Sequence, residues 1–213
     1  MNSKMVQKKS KRETLQKYLP EGTVDTILDY FSRYKVKFKI VKPRKTKLGD
    51  FRYIPNGGIP EITVNGDLNK YSFLVTTVHE FAHLKTFLEH RFNVRAHGKE
   101  WKQNFVELMV PILDLKVLPQ DVENALVQSF TNVKASSCTD RNLYRVLRNY
   151  DDFNPGEILL EQISKNSTFV LHNKRYRKGP LRRTRFLCEE LESGKSYLIN
   201  ALATIKPIEI DGE

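Results

Sequence analysis

The segment from Lys70 to Phe92 constrains the fold most, because large apolar side chains recur there with the period of an α-helix. Within it lies His79-Glu80-Phe81-Ala82-His83, in which the two histidines are four positions apart. An α-helix has about 3.6 residues per turn, so both imidazoles lie on one face, one turn apart. Glu80 is rotated by about 100° from His79, so its carboxylate can reach a water molecule on the metal rather than the metal itself. The pattern predicts a metal site on a buried helix.

Burial favours this interpretation over ordinary core histidines with hydrogen-bond partners, which is the alternative. Two histidines and a glutamate among apolar residues would each lose hydration, and metal coordination offsets that loss. The charged and polar groups of this helix therefore have a chemical reason to lie in the core.

A catalytic zinc usually takes three protein ligands and keeps a fourth position for water, so a third ligand is needed downstream. His90 follows His83 by seven residues and would lie roughly 10 Å away along the same helix. His97 is better placed, because the residues before it can reverse the chain and direct it toward the first helix. Glu100 or Glu107, on the next predicted helix, are the alternative ligands.

The other composition features narrow the class of protein. Two cysteines, Cys138 and Cys188, are too few for a disulfide framework or for a four-cysteine zinc site. No apolar run approaches the roughly 20 residues that cross a bilayer, and the N-terminal residues have no signal-peptide pattern. We therefore expect no membrane partner and a cytoplasmic location, with association with the nucleoid as a further option.

The net charge of +11 is concentrated in two places. Residues 1–12 contain five lysine or arginine residues and no acid, and residues 165–206 contain ten against three glutamates. Clustered cations favour a polyanionic partner, because binding releases counterions from a phosphate backbone. The predicted nucleic-acid-binding residues are Lys174, Arg175, Arg177, Lys178, Arg182, Arg183 and Arg185. These cations suit a phosphate backbone, and the adjacent Tyr176 and Phe186 suit an unstacked base. The alternative is a basic face that is only solvated.

Periodicity predicts an α+β fold. Apolar residues at helical spacing indicate a helix between Glu21 and Tyr34. The strands expected before the motif helix are 36–40, 48–54 and 61–64. Pro111 is expected to end or kink the helix that follows Trp101. Near the C-terminus, strands are expected at 168–172, 184–188 and 196–199, with turns at 178–180 and 193–195.

The metal motif resembles that of a known family. His79-Glu80-Phe81-Ala82-His83, followed fourteen residues later by His97-Gly98-Lys99-Glu100-Trp101, resembles the SprT-like metalloprotease domain, which is marked by HExxH on one helix and a third histidine in an HGxxW or HGxxF segment. The similarity extends from roughly Arg12 to Phe130. It implies a zincin-like fold, in which a small mixed sheet packs on helices. It also implies one catalytic zinc held by His79, His83 and His97, with Glu80 as the general base.

The resemblance implies a zinc metalloprotease that hydrolyses peptide bonds with zinc-bound water activated by Glu80. Spartan proteases, which remove proteins crosslinked to DNA, carry a domain of this type. We therefore expect a protein substrate that is associated with or crosslinked to DNA, and DNA rather than RNA as the nucleic-acid partner. An extended substrate could pair with residues 62–64 if their strand forms the sheet edge. The alternative is a non-catalytic nucleic-acid-binding or regulatory protein that retains the zinc site.

The C-terminal segment is similar in position and basic hairpins to the zinc ribbon that ends many SprT proteins. A ribbon needs four cysteine or histidine ligands in two close pairs, and only Cys188 and His172 are present. We therefore predict a degenerate ribbon with no second zinc. The predicted domains are a basic tail (1–11), a SprT-like metalloprotease domain (12–131), a connecting region (132–163) and a basic, β-rich C-terminal module (164–213).

Overall fold

The computed structural model describes residues 11–44, 46–131, 140–152 and 155–208. The fold is α+β, and the chain divides into two compact units, residues 1–151 and 152–213. Nearly all of the predicted basic tail, and Cys138 with it, lie outside the described residues. Among the helices of the described ranges, none has the length and apolar character needed to cross a membrane.

The first unit contains six helices and three strands within the described residues. The helices are α1 (residues 11–18), α2 (Val24–Arg33), α3 (Lys70–His90), α4 (Lys99–Asp114), α5 (Gln120–Thr131) and α6 (Arg141–Arg148). The strands are β1 (Lys37–Val41), β2 (Gly49–Arg52) and β3 (Glu61–Asn65). These elements confirm the helix and strands predicted ahead of the motif helix, and α6 lies within the range suggested above as a connecting region.

The three strands form one mixed sheet in the order β1-β3-β2. β3 runs parallel to β1 and antiparallel to β2, so it is the central strand. Its apolar side chains Ile62 and Val64 are fully buried, which explains why it takes this place. The condition for substrate pairing with residues 62–64 is therefore not met, because β2 and not β3 is an edge of this sheet.

Helix α3 forms the centre of the first unit. The Asn69 side chain caps its N-terminus by accepting hydrogen bonds from the backbone N–H groups of Tyr71 and Ser72. Phe73, Val78, Phe81 and Leu84 have no solvent exposure. Because nearly the whole circumference of this helix is buried, the polar residues on it are held rigidly by the packing around them.

Helix α4 continues past its internal proline. It begins after Gly98 and includes Pro111, and it ends three residues later at Asp114. Pro111 therefore does not end the helix, as the sequence predicted, but lies in its last turn. The buried Trp101 lies in the first turn of α4, which brings it close to α3.

The second unit is a six-stranded sheet. Its strands are β4 (Ile158–Leu159), β5 (Thr168–Leu171), β6 (Lys174–Arg182), β7 (Arg185–Glu190), β8 (Ser196–Asn200) and β9 (Thr204–Pro207), in the order β4-β9-β5-β6-β7-β8. Its core contains Leu160, Phe169, Cys188 and Ile205. The described part of this unit holds no zinc-ligand group of the kind found in a ribbon.

The turn predicted at residues 178–180 is wrong. These residues lie inside β6, where the register shifts between Lys178 and Leu181 in a β-bulge. A Cβ on Gly179 would lie 2.1 Å from the Leu187 carbonyl oxygen, so glycine is required there by a close backbone approach. The chain turns instead on both sides of β6. One turn is at His172 and Asn173, whose positive φ angles of 50° and 63° suit a two-residue hairpin, and the other is at Arg183 and Thr184.

Candidate metal centre and nucleic-acid interface

The three histidines selected from the sequence converge on one point. The Nε2 atom of His83 lies 3.0 Å from that of His79 and 2.9 Å from that of His97, and the third Nε2 pair is 3.1 Å apart. Among the residues that the structure describes, this is the group that could hold a metal ion. Within the described residues, His90, Glu100 and Glu107 are not part of this group.

Comparisons of the chain with protein-family models, curated proteins and solved structures give no significant match.

Local backbone geometry brings the third histidine to the first two. α3 ends at His90, and the next residue, Arg91, has a φ of 55° in the left-handed region, which reverses the chain. His97 also has a positive φ, of 60°, immediately before α4 begins. Left-handed backbone is uncommon for residues other than glycine, asparagine, aspartate and histidine. The loop thus directs the His97 side chain back toward α3, as the sequence interpretation required.

Trp101 packs against all three histidine rings. Its ring centroid lies 4.6 Å from that of His79, 5.4 Å from that of His83 and 4.8 Å from that of His97. On its other side it stacks on Phe105, with an interplanar angle of 11°. Trp101 is thus both a buried core residue and a contact that restricts the orientation of the imidazole planes.

The histidines are held in their neutral form. Burial, followed by the charges of the neighbouring histidines, lowers the pKa of His79 well below 6.5. Burial and then the proximity of His97 lower the pKa of His83 to about 4. Burial also lowers the pKa of His97, with a smaller contribution from Lys102. Neutral imidazoles present the lone pairs that a metal ligand requires.

Glu80 is buried beside this group. Burial, followed by the charge of the nearby Asp50, raises the pKa of its carboxyl group from 4.5 to about 8, although the Phe51 backbone N–H donates a hydrogen bond that acts in the opposite direction. The charges of Arg44 and Lys47 act in the same direction as that hydrogen bond. The site therefore contains a carboxyl group that can hold or release a proton near neutral pH.

Gly49 makes room for the Glu80 side chain. A Cβ at this position would lie 2.5 Å from Glu80 Oε1 and 2.7 Å from Thr76 Cγ2. Any larger residue would therefore displace the carboxyl group. The contacts of Glu80 with Gly49 and with the Phe51 N–H were not predicted. Neither a glycine at the start of a strand nor a main-chain N–H carries a sequence signal for a contact with a helix.

The seven predicted nucleic-acid-binding residues do not share one surface. Lys178 is buried and donates hydrogen bonds to the carbonyl oxygens of Glu161 and Ile163. Lys174 binds the buried Glu190, with its Nζ atom 2.7 Å from Oε1. Arg183 occupies the turn after β6 with a φ of 55°. The remaining four, Arg175, Arg177, Arg182 and Arg185, are all exposed.

The two aromatic residues predicted to contact a base are directed toward the core. Tyr176 is buried and stacks on Phe169, with ring centroids 5.6 Å apart. Phe186 is half-buried beneath Lys178, whose Nζ atom lies 3.9 Å from the ring centroid. Neither ring is available as an open stacking platform.

Proposed function

We propose that this protein is a zinc-dependent metallopeptidase of the SprT-like type, with a zincin-like first unit. The observation that carries the proposal is the convergence of three histidine Nε2 atoms beside the buried carboxyl group of Glu80. A purely structural metal site would need no general base next to its ligands. The glutamate thus favours an enzyme over the alternative of a regulatory protein that retains the metal for structure.

The residues present fit a zinc ion. All three donors are imidazole Nε2 atoms 2.9–3.1 Å apart, which is close enough for one ion to bind all three at the usual zinc–nitrogen distance of about 2.0–2.1 Å. Three histidine ligands form one of the donor sets found in catalytic zinc sites, in which the fourth position is left for water or substrate. The lowered pKa of each histidine means that no proton has to be displaced at neutral pH.

A zinc ion held by His79, His83 and His97 would supply Lewis-acid chemistry, because it would polarise the scissile carbonyl and lower the pKa of water. Glu80 accepts the proton of the attacking water and then transfers it to the leaving amine. The Phe51 N–H and the absence of a side chain at Gly49 hold the carboxyl group of Glu80 in place for both transfers. Trp101 fixes the imidazole planes from behind.

The edge strand β2 offers a site for an extended peptide. The Leu48 carbonyl oxygen accepts a hydrogen bond from the Asn65 N–H at 2.8 Å, so the backbone groups of Leu48 face β3. Because these directions alternate in antiparallel pairs, the backbone groups of Gly49 and Phe51 point away from β3. A substrate strand that pairs with them would pass next to Glu80. This arrangement favours a peptide over a compact small molecule as the substrate.

We further propose that the protein acts on substrates associated with or crosslinked to DNA. The support is the excess of positive charge in the second unit, where four exposed arginines lie on β6 and β7. Such charge raises the local concentration of nucleic acid and of the proteins bound to it.

Metal content and proteolysis measured on the same preparation test the proposal. We expect one zinc per chain in both the wild type and Glu80→Gln, with cleavage of a protein substrate only by the wild type. Adding single- or double-stranded DNA then tests whether nucleic acid increases the cleavage rate. Equal cleavage by the wild type and Glu80→Gln would refute the role of Glu80, and a fourth protein ligand in the zinc-loaded site would refute the enzyme.

A further inference from the structure

We propose that the exposed face of the second sheet binds the phosphate backbone of a double-stranded nucleic acid, and not an unstacked single strand. The proposal rests on the nucleic-acid association proposed above and is independent of the peptidase activity. It assigns the binding to four residues, called here the arginine face: Arg175, Arg177, Arg182 and Arg185.

Strand register places these residues on one side of the sheet. Arg182 is the register partner of Arg185, and Arg177 is that of Glu189. Register partners share a face, as do residues two apart on a strand, so Arg175 joins Arg177 and Arg185 joins Glu189. The residues between them, including Tyr176 and Cys188, point into the core. The sequence gives no direct sign of this division, because the β-bulge changes the alternation along β6.

The charges of the arginine face are largely uncompensated. Within the described part of the chain, Arg175, Arg182 and Arg185 form no side-chain ion pair, and Arg177 lies 3.6 Å from the exposed Glu189. Lys206 on β9 continues the face, because it and Arg175 are both register partners of Val170. A surface of this composition recruits anions.

The pair Arg182 and Arg185 indicates an anionic ligand most directly. Two like charges placed opposite each other on neighbouring strands destabilise a sheet. The hairpin gains nothing for its own folding from this arrangement, whereas an anion between the two guanidinium groups would convert repulsion into two charge-assisted hydrogen-bonded contacts. Phosphate oxygens match the planar, bidentate geometry of arginine.

Among the described residues of β6 and β7, the arginine face carries no aromatic ring, which favours a duplex over a single strand. Tyr197 on β8 is exposed, but it is the register partner of Cys188 and so belongs to the opposite face. Proteins that bind single strands combine cations with aromatic side chains on which the bases stack. On β6 and β7, the aromatic side chains Tyr176 and Phe186 belong to the core face, and the apolar residues of the arginine face are Leu187 and its register partner Leu198. The distance from Arg175 to Arg182 along β6 is about 20 Å, which corresponds to about six base pairs of duplex.

Fluorescence anisotropy with the full chain tests the proposal. The probes are a labelled DNA duplex, one of its strands alone, and an RNA duplex of the same sequence. We expect tighter binding of a duplex than of the single strand, with the two duplexes distinguishing DNA from RNA. Arg182→Gln/Arg185→Gln should weaken duplex binding on the order of 50-fold at about 0.1 M salt and reduce the salt slope by about 1.8, because each lost phosphate contact removes about 0.9.

Matched variants separate local contacts from bulk charge. Lys165→Gln/Lys195→Gln makes the same change in net charge on exposed turns outside the arginine face, and we expect its duplex affinity to stay within about twofold of the wild type. Arg182→Lys/Arg185→Lys keeps the charge, and with it the salt slope, but loses the bidentate contacts, so it should bind the duplex more weakly than the wild type and more tightly than the glutamine variant. Circular dichroism of each variant establishes that the sheet is folded.

Four outcomes would overturn the proposal. Equal affinity for the duplex and the single strand would remove the assignment to a duplex. Equal losses of duplex affinity in Arg182→Gln/Arg185→Gln and Lys165→Gln/Lys195→Gln would assign the binding to bulk charge. Displacement of the duplex by an equal concentration of polyglutamate would identify an acidic protein as the partner. No binding of any nucleic acid, together with cleavage that depends on Glu80, would refute the association while leaving the peptidase intact.

Discussion

Replacing Glu80 by glutamine should remove one contribution to the pH dependence of the stability of the first unit, so that the variant gains stability over the wild type as pH rises. The substitution keeps the shape of the protonated carboxyl group but cannot ionise. In the folded, metal-free protein the pKa of Glu80 is raised from 4.5 to about 8, mainly by burial. Between these two values the folded protein holds a proton on Glu80 that the unfolded chain has lost, so the contribution of Glu80 to stability falls as pH rises.

The magnitude follows from the two pKa values. Each pH unit within this window costs about 1.4 kcal/mol, so between pH 5 and pH 8 the wild type should lose about 3.5 kcal/mol relative to Glu80→Gln. The buried histidines contribute in the opposite direction, because their pKa values are lowered and their cost is felt as pH falls below 6.5. This contribution is common to both proteins and cancels in the difference.

Trp101 provides the assay. It is the single tryptophan of the chain and packs on the metal centre, so its fluorescence reports the unfolding of the first unit alone. Urea unfolding of both proteins, after treatment with a chelator, would be followed at intervals between pH 5 and pH 8. A free-energy difference that stays constant across this range would refute the reasoning, since it would mean that Glu80 has the same pKa in the folded and unfolded states.

Three further substitutions test other parts of the structure. Substituting a residue that only supports a metal ligand lowers metal affinity roughly 10- to 100-fold, and His97→Ala, which removes a ligand, should lower zinc affinity by more than that. In the same competition titration, the control His90→Ala should leave zinc affinity unchanged. Gly49→Ala should reduce kcat more than about tenfold with zinc still bound, because the added Cβ displaces the general base, and an unchanged kcat would contradict this. Lys178→Met should destabilise the second unit by about 1–3 kcal/mol in thermal unfolding, because it removes the buried donor of two hydrogen bonds to carbonyl oxygens, and should not alter the salt slope of nucleic-acid binding.

Periodicity and spacing were sufficient to predict that His79 and His83 share one face of α3. Spacing also excluded His90, because a helix of fixed pitch carries it too far away. Spacing left Glu100 and Glu107 open beside His97, and the resemblance of the segment that begins at His97 favoured the histidine. What the sequence could not reveal is the surroundings of Glu80, because contacts with Gly49 and with the Phe51 backbone depend on how β2 packs against α3.

The second sheet was harder to predict for a physical reason that concerns its turns. Glycine and proline at 179 and 180 usually mark a turn, but here they lie in a β-bulge within a long strand. The turn between β5 and β6 uses His172 and Asn173 in left-handed conformations, and the turn between β6 and β7 includes Arg183, which is also left-handed. Because one misplaced turn changes which residues share a face, the basic run could be found from the sequence, while its division between a buried and an exposed face could not.

Strand β2 links the two requirements of the proposed reaction. Its outward-facing backbone groups, at Gly49 and Phe51, are the ones available to an extended peptide, and the Phe51 N–H also binds the carboxyl group of Glu80. A peptide that pairs with this edge therefore competes for, or reorganises, the hydrogen bond that holds the general base. Substitutions that shift β2 should change KM and kcat together, whereas loss of a histidine should remove the metal and leave peptide binding at the edge intact. The separation of these two effects follows from the fact that the metal ligands belong to α3 and the α4 entry loop, and not to the sheet.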